Sequence, residues 1–250
     1  MQSILFQIFT TSKKCFLLRS SKTAIIIPVK KFDYSKTRLS LFLNPKERKK
    51  LSELLMLDTL EKISKMKQKQ IIIVVSERIK SIDKFSDIVI IYESDFNGVN
   101  NAIELANKFV KNNKFSESLI VPIDLPLLST KDLDDIIKHS RKFEKGICIV
   151  PSKRFDGTNI LLRKPSLVID TFYDNNSFYN HVKSAAKNKV SVEILNNENL
   201  MVDLDTVDDI ITIIDRYNTI FDGGKTEISM EESKSIVFLK EKMKNKQKNT

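Results

Sequence analysis

The sequence predicts an α/β fold in which helices cover both faces of a mostly parallel sheet. Short apolar runs rich in Ile and Val recur along the chain, and they alternate with longer segments whose apolar residues have helical spacing. Continuous apolar runs are typical of strands buried on both faces, and strands that alternate with helices indicate parallel pairing. No long linker or change of composition interrupts residues 23–221, so we predict one domain there.

The first half of this domain contains three predicted strands and two predicted helices. We assign the strands to the apolar runs 24–29, 71–75 and 88–91. The first helix begins at Asn44-Pro45, because proline suits the first helical turn and leucines at helical spacing follow it. The second helix, from about 99 to 110, follows a polar loop that contains Gly98.

The second half continues the alternation. We assign strands to 119–123, 147–150, 160–162, 190–195 and 201–203, and helices to 130–139, 177–187 and 206–217. Ser129 or Thr130 caps the first of these helices, with acidic residues in its first turn. The segment from Thr206 to Asp209 has the form of a capping box and begins the last.

The two ends of the chain carry much of its net charge of +10. Residues 1–22 form a basic extension without an acidic residue. Residues 222–250 form a charged tail, either a charged helix or a frayed segment, that ends in alternating lysines. Both ends look dispensable to a core. Although 1–22 resembles a targeting peptide, no signal-peptidase site is evident, and we interpret it as an unneeded extension. Because the charge is concentrated in the ends, it is weak support for a nucleic-acid partner.

The composition also restricts the compartment. Two cysteines, Cys15 and Cys148, are too few for a disulfide framework and favour a reducing, cytoplasmic location. No run approaches eighteen consecutive apolar residues, so we expect no membrane span. The sequence leaves the oligomeric state open, and a homodimer is one option.

Cationic side chains follow the first predicted strand. Lys30, Lys36 and Arg38 lie in one loop, and such a loop suits a polyphosphate because Lys and Arg neutralise charge and donate hydrogen bonds. The loop lacks the glycines of a P-loop, so side chains must hold the ligand. A solvated basic loop is the alternative.

Carboxylates follow two later strands. Asp124 lies between Pro122 and Pro126 after an apolar run, where ligands collect at the carboxyl ends of parallel strands. Asp203 and Asp205 are two residues apart, so in an extended segment they point to the same side. Carboxylates this close require a compensating cation, and Mg2+ prefers such ligands. The alternative for each is a local turn or helix cap.

Glycine is scarce, and two of the three glycines inside the domain lie in polar loops that contain Gly98 and Gly157. A glycine retained in such a loop indicates a required backbone conformation or close ligand approach, although an ordinary turn is an alternative. His139 and His181 have no Cys or His partner at ligand spacing, so we expect no zinc site.

Taken in order, these motifs resemble the 2-phospho-L-lactate guanylyltransferase family of coenzyme F(420) biosynthesis over about residues 23–215. The matching segments are PVKKFDYSKTRLS (28–40), GVNNAI (98–103), VPIDLPLL (121–128), GTNILL (157–162), NSFYNH (176–181) and VDLDTVDDI (202–210). The resemblance implies a three-layer sandwich with a mixed, mainly parallel sheet, like that of nucleotide-diphospho-sugar transferases. It also implies guanylyl transfer from GTP to a small phosphorylated acid, with release of pyrophosphate.

The resemblance also implies roles for individual residues. Asp124, Asp203 and Asp205 would bind Mg2+, and Lys30, Lys36 and Arg38 would contact phosphates. Gly98, Asn100 and Asn101 would lie near the guanine or ribose, and Thr158 and Ser177 would bind the acceptor. The acceptor would be 2-phospho-L-lactate, phosphoenolpyruvate or 3-phosphoglycerate.

The sequence departs from the family pattern where Asn176 replaces the glycine that usually precedes the Ser-Phe pair, and where Val207 replaces a common proline. Three alternatives stay open: a cytidylyl- or sugar-phosphate nucleotidyltransferase, a basic nucleic-acid-binding domain, and a catalytically silent relative. The first usually carries a glycine-rich loop after the first strand, and the retained aspartates argue against the last.

Overall fold

The computed structural model describes residues 8–10, 23–93, 98–222 and 233–247. Within them, eight strands form one sheet. These are β1 (Ile8–Thr10), β2 (Thr23–Pro28), β3 (Lys69–Val75), β4 (Ile88–Tyr92), β5 (Glu117–Ile120), β6 (Gly146–Pro151), β7 (Thr158–Lys164) and β8 (Ser191–Ile194). The α-helices are α1 (Pro45–Ser64), α2 (Val99–Asn112), α3 (Thr130–Ser140), α4 (Ser177–Lys187), α5 (Val207–Asp222) and α6 (Lys234–Gln247).

The sheet has the strand order β1-β4-β3-β2-β5-β7-β6-β8. Parallel pairing joins β4, β3, β2 and β5, and it also joins β6 to β8. The antiparallel pairs are β1 with β4, β5 with β7 and β6 with β7. The predicted α/β class with a mixed, mainly parallel sheet is therefore confirmed.

Alternate residues of each central strand enter opposite faces of the sheet. In β2, Ile25 and Ile27 pack in a core with residues of α1 and α3, whereas Ala24 and Ile26 pack in a second core with residues of α2 and α4. Burial of both strand faces explains why the strands read as continuous apolar runs. The predicted three layers are thus two helical layers around one sheet.

Capping side chains begin the helices on one face. Asn44 accepts a hydrogen bond from the Glu47 backbone, and Glu47 accepts one from Asn44, so Pro45 begins α1 within a capping box. Ser129 and Asp132 form the same arrangement at α3. At α5, Thr206 and Asp209 exchange the hydrogen bonds that the sequence predicted.

One predicted strand is wrong, because residues 201–203 do not join the sheet. Isolated backbone hydrogen bonds hold this extended segment: Lys153 N donates to Met201 O at 2.9 Å, and Leu204 N donates to Asp124 O at 2.9 Å. Val202 and Leu204 are nevertheless buried. The alternating pattern thus reflects burial of one side of the segment, which does not require pairing with another strand.

Parts of both chain ends take part in the fold, in contrast to the expectation that they are dispensable. β1 extends the sheet beside β4. Ile236, Phe238 and Leu239 of α6 are buried in a third apolar core with residues of α1 and α5. Asp58 of α1 accepts hydrogen bonds from the first residues of α6, at 2.9 Å from Ser235 N. Residues 1–7, 11–22, 223–232 and 248–250 lie outside the described part of the chain.

Candidate active site

A cleft lies where the loops after β2, β5 and β6 meet the segment before α5. Two adjoining cavities form it, of about 370 Å3 and about 1200 Å3, and Arg38, Asp124 and Asp205 line both. We call Lys36, Arg38, Asp124, Asp203 and Asp205 the charged end. Thr158 and Ser177, which line the larger cavity, form the hydroxyl end. In the described part of the chain, no helix is long and apolar enough to cross a membrane.

Lys36 is the centre of the charged end. Its ammonium lies 3.0 Å from Asp124 Oδ2 and 3.2 Å from Asp205 Oδ1, and only 8% of its side chain is exposed. Burial lowers the pKa of this ammonium, but the two carboxylates outweigh that effect and raise the pKa above 10.5. Its backbone has φ 53°, a left-handed conformation that is rare for a lysine. Arg38 reaches Asp205 Oδ2 at 3.3 Å from a mostly exposed position.

Asp203 carries the least compensated carboxylate. Desolvation by burial raises its pKa to about 6, and repulsion from Asp124 and Asp205 adds to this shift. The hydrogen bond from Leu204 N to Asp124 O holds the two acidic segments side by side. As the spacing predicted, Asp203 and Asp205 both line the larger cavity while Val202 and Leu204 point into the core.

The donor chemistry of the charged end suits a hard cation. Three carboxylates face one cleft, and the pKa of Asp203 is raised first by burial and then by repulsion from Asp124 and Asp205, which a cation would relieve. The protein side chains do not form a complete metal site by themselves, because no three His, Cys, Asp or Glu side chains of the described residues are grouped closely enough to hold a metal ion. Oxygen ligands from a bound polyphosphate would have to complete the coordination, as is usual for Mg2+.

The hydroxyl end is built from neutral hydrogen bonds. Thr158 begins β7, and its Oγ1 lies 3.0 Å from Nδ1 of the buried His181. Ser177 is the first residue of α4 and is buried. Gly157 N donates to Ser152 Oγ at 2.9 Å, and a Cβ at Gly157 would lie 3.1 Å from Ser152 Cβ. The close approach expected at Gly157 is therefore to Ser152.

Asn176 takes the backbone conformation that glycine favours. It is the N-cap of α4, with φ 58° and ψ 39°. Asn is among the few residues that adopt this left-handed region at modest free-energy cost. The departure from the family pattern at this position therefore preserves the turn that presents Ser177.

Three predicted nucleotide-binding residues do not line the two cavities. Gly98 has φ +86°, which explains the retained glycine. Asn100 accepts a hydrogen bond from Tyr173 N at 2.8 Å and donates one to Asp174. Asn101 donates to Glu93 Oε2 at 3.4 Å. Lys30, by contrast, lines the smaller cavity at an exposed position.

Sequence reasoning missed two further features. His181 forms a hydrogen bond with Thr158, but from the sequence we inferred only that His181 has no partner for a zinc site. Ser76 and Glu93 follow β3 and β4, and among the described residues their buried Oγ and Oε1 atoms have no hydrogen-bond partner. Burial raises the pKa of Glu93. A polar residue after each apolar run was the available signal for this pair.

Comparison with known proteins gives one family. Residues 23–223 match the family described as guanylyl transferase CofC like. A 2-phospho-L-lactate guanylyltransferase from Methanobrevibacter smithii is 32% identical over 189 residues, which are 76% of this chain and 82% of that protein. A protein of the same name from Methanocaldococcus jannaschii is 34% identical over 191 residues, which are 76% of this chain and 81% of that protein.

Solved structures resemble the fold. A protein from Desulfovibrio desulfuricans described as a nucleotide-diphospho-sugar transferase has a TM-score of 0.66 at 14% identity, covering 91% of this chain and 98% of that one. A 4-diphosphocytidyl-2C-methyl-D-erythritol synthase from Anaerococcus prevotii has a TM-score of 0.52 at 15% identity, covering 80% and 98%. At these identities the likeness is one of fold alone.

Proposed function

Because the chain belongs to the CofC-like guanylyl transferase family, we propose that it transfers a guanylyl group from GTP to 2-phospho-L-lactate in coenzyme F(420) biosynthesis. The acceptor phosphate gains the guanylyl group, and pyrophosphate leaves. The observation that carries this proposal is one cleft that joins a charged end, suited to a triphosphate, with a hydroxyl end, suited to a small anion.

The reaction needs no general base from the protein. A phosphate oxygen of the acceptor is already anionic at neutral pH, and it attacks the α-phosphorus of GTP as the bond to pyrophosphate breaks. Catalysis then consists of positioning the two anions and neutralising their charge. This agrees with a cleft in which His181, the nearest histidine, is buried behind Thr158.

Lys36 and Arg38 at the charged end, together with Lys30 in the smaller cavity, would contact the phosphates of GTP. Asp124, Asp203 and Asp205 would hold Mg2+, which when bound supplies positive charge to the triphosphate. Lys36 is suited to its role because burial strengthens its electrostatic interactions. At the hydroxyl end, Thr158 and Ser177 would donate hydrogen bonds to the acceptor.

For the guanine, we propose that Gly98 and Asn101 place Glu93 against the base. Guanine presents two adjacent donors, N1–H and the 2-amino group, and a carboxylate is the complementary acceptor. Within the described part of the chain, the buried Oε1 of Glu93 has no hydrogen-bond partner, while Asn101 donates to its other oxygen. Glu93→Gln is expected to raise the KM for GTP about tenfold, with an acceptor KM within twofold of wild type, because a charge-assisted bond is lost.

The test is pyrophosphate release by the purified chain with Mg2+ and GTP, supplied with 2-phospho-L-lactate, phosphoenolpyruvate or 3-phosphoglycerate in turn. We expect release with GTP and 2-phospho-L-lactate. The same acids with CTP test the cytidylyl alternative, which a preference for CTP would favour. A preference for another acid would preserve guanylyl transfer and change the acceptor. No release with any pair would overturn the proposal.

A further inference from the structure

His181 lies fully buried behind the hydroxyl end, and both of its ring nitrogens have partners. Nε2 is 2.9 Å from the backbone N of Phe172, and Nδ1 is 3.0 Å from Thr158 Oγ1. The rings of Phe172 and Tyr173 pack beside the imidazole, with centroids 6.2 Å and 5.1 Å away. No water-exposed position is therefore left to the ring, and its two hydrogen bonds fix its orientation.

These contacts determine which nitrogen carries the proton. A backbone N–H can only donate, so Nε2 of His181 must accept from Phe172 and cannot carry a proton itself. Burial, together with the nearby Arg163 cation, lowers the pKa of His181 to about 4, so the ring is neutral at neutral pH. In a neutral ring the other nitrogen holds the proton, and Nδ1 therefore donates to Thr158.

The direction of that hydrogen bond sets the chemistry of Thr158. Its hydroxyl oxygen accepts from His181, so its own proton must point elsewhere. Within the described residues Thr158 Oγ1 has no other hydrogen-bond partner, and Thr158 lines the larger cavity. We propose that His181 is a positioning residue which turns the Thr158 hydroxyl into an outward donor, so that this point of the cleft selects an anionic oxygen of the acceptor.

This inference rests on the proposed function, because it assigns the larger cavity to the acceptor. It adds a preference within that cavity. A carboxylate or phosphate oxygen accepts a hydrogen bond from the Thr158 hydroxyl, whereas an acceptor analogue with an amide or ammonium nitrogen at this point would leave that hydroxyl without an acceptor. Arg163 helps to keep His181 neutral, because this buried cation lowers the pKa of His181 and its own hydrogen-bond partners are neutral: Ser118, Asn107 and the Ile169 carbonyl.

The protonation pattern can be read without any assay of activity. The chain contains only two histidines, so incorporation of 15N-histidine gives two rings to resolve by NMR. His139→Asn, which changes a half-exposed ring outside the cleft, assigns the signals. We expect His181 to be neutral at pH 7 with its proton on Nδ1. A proton on Nε2, or a charged ring, would overturn the proposal even if the enzyme is active.

Kinetics then tests the consequence for the acceptor. His181→Leu removes the donor, and we expect the acceptor KM to rise about tenfold while the KM for GTP stays within twofold. His181→Asn keeps a donor near the Nδ1 position and should recover part of the loss. In a Thr158→Val background, His181→Leu should change the acceptor KM little further, because the shared interaction is already lost.

The outcomes separate this inference from the proposed function. If the wild-type chain releases no pyrophosphate with any acid, the proposed function fails and the NMR result still decides the proton position. If the wild-type chain is active but His181→Leu and Thr158→Val act independently on the acceptor KM, the positioning role fails alone. Should His181→Leu not fold, His181→Asn in the wild-type and Thr158→Val backgrounds supplies the same test of coupling.

Discussion

The two ends of the cleft are organised by opposite means. At the charged end, Lys36 pairs with Asp124 and Asp205, Arg38 pairs with Asp205, and the pKa of the neighbouring Asp203 is raised. At the hydroxyl end, neutral groups are fixed by hydrogen bonds to buried partners such as His181. At the charged end, repulsion between carboxylates persists until a ligand or cation compensates it. At the hydroxyl end, hydrogen bonds orient the side chains before a ligand binds.

This difference predicts at which end of the cleft a substitution should lower activity but raise stability. A buried carboxylate beside like charges destabilises a fold, so neutralising Asp203 should impair turnover and stabilise the ligand-free protein. Lys36 and Asp124 form a favourable ion pair, so this expectation does not extend to them. Satisfied buried hydrogen bonds stabilise a fold, so substitutions at the hydroxyl end should weaken both binding and stability. The predictions below test this contrast, from the largest expected effect to the smallest.

Asp124→Asn should produce the largest loss. The residue is shared by both cavities and pairs with Lys36, so its charge acts on the bound triphosphate and on any cation there. We expect turnover to fall about 100-fold or more, on the order of 3 kcal/mol, in a pyrophosphate assay at saturating Mg2+. Asp83→Asn, which removes an exposed carboxylate paired with Arg78, is the matched control. Near-normal turnover of Asp124→Asn would show that the charge of Asp124 is not needed for catalysis.

Lys36→Met and Arg38→Gln should differ, although both remove a cation that pairs with Asp205. Lys36 is 8% exposed and Arg38 is 69% exposed, so solvent screens Arg38 far more strongly. We expect kcat/KM for GTP to fall about 30-fold for Lys36→Met and less than about fivefold for Arg38→Gln. Equal losses would show that burial does not distinguish the two cations.

Acidification should act on the two ends with opposite sign. The folded state holds a proton on Asp203 more tightly than the unfolded state, so this group stabilises the fold as pH falls from about 6 towards 3.8. The folded state excludes a proton from His181, so this ring destabilises the fold as pH falls from 6.5 towards about 4. The two contributions therefore oppose each other within nearly the same pH window.

Asp203→Asn separates them. At pH 8, without metal, we expect the variant to be more stable than wild type by about 1 kcal/mol, after allowance for solvent screening of a partly buried group. Between pH 6 and pH 4 its free energy of unfolding should fall more steeply, because the compensating uptake by Asp203 is gone. Urea unfolding with EDTA at several pH values measures both effects. A variant less stable than wild type at pH 8 would contradict the inference that the ionised Asp203 carboxylate destabilises the fold.

Most of the fold could be predicted from sequence because the central strands are buried on both faces. The apolar runs at β2, β3 and β4 could be assigned to strands directly. Pro28 ends β2, Asn44-Pro45 begins α1 and Gly98 precedes α2, so these residues mark element boundaries in the sequence. The strand predicted at 201–203 failed because burial of Val202 and Leu204 imitates a ladder. The buried face of α6 was missed since its lysines dominate the pattern.

At the site, charge is visible in sequence and tautomeric state is not. Lys36, Asp124 and Asp205 were predicted because each follows a predicted strand in the order of the family motifs, and in the structure the Lys36 ammonium lies 3.0 Å from Asp124 and 3.2 Å from Asp205. His181 is far from Thr158 along the chain, and its role depends on the Phe172 backbone, which no spacing rule connects to it. Gly98 was identified by scarcity, but Asn100 proved to bind the 173–174 backbone and side chain instead of lining the cleft.

Asn176 offers the smallest and sharpest test of the hydroxyl end. Its left-handed backbone, φ 58°, presents Ser177, and glycine adopts this conformation at least as readily as asparagine. Asn176→Gly should therefore change the free energy of unfolding by less than about 0.5 kcal/mol, while Asn176→Val, which is β-branched, should lose about 1 kcal/mol or more. Thermal unfolding of both variants measures this difference. If the hydroxyl end is oriented before binding, Asn176→Val should also raise the acceptor KM, since Ser177 follows the strained residue directly; a stability loss with an unchanged acceptor KM would show that Ser177 is positioned by the ligand.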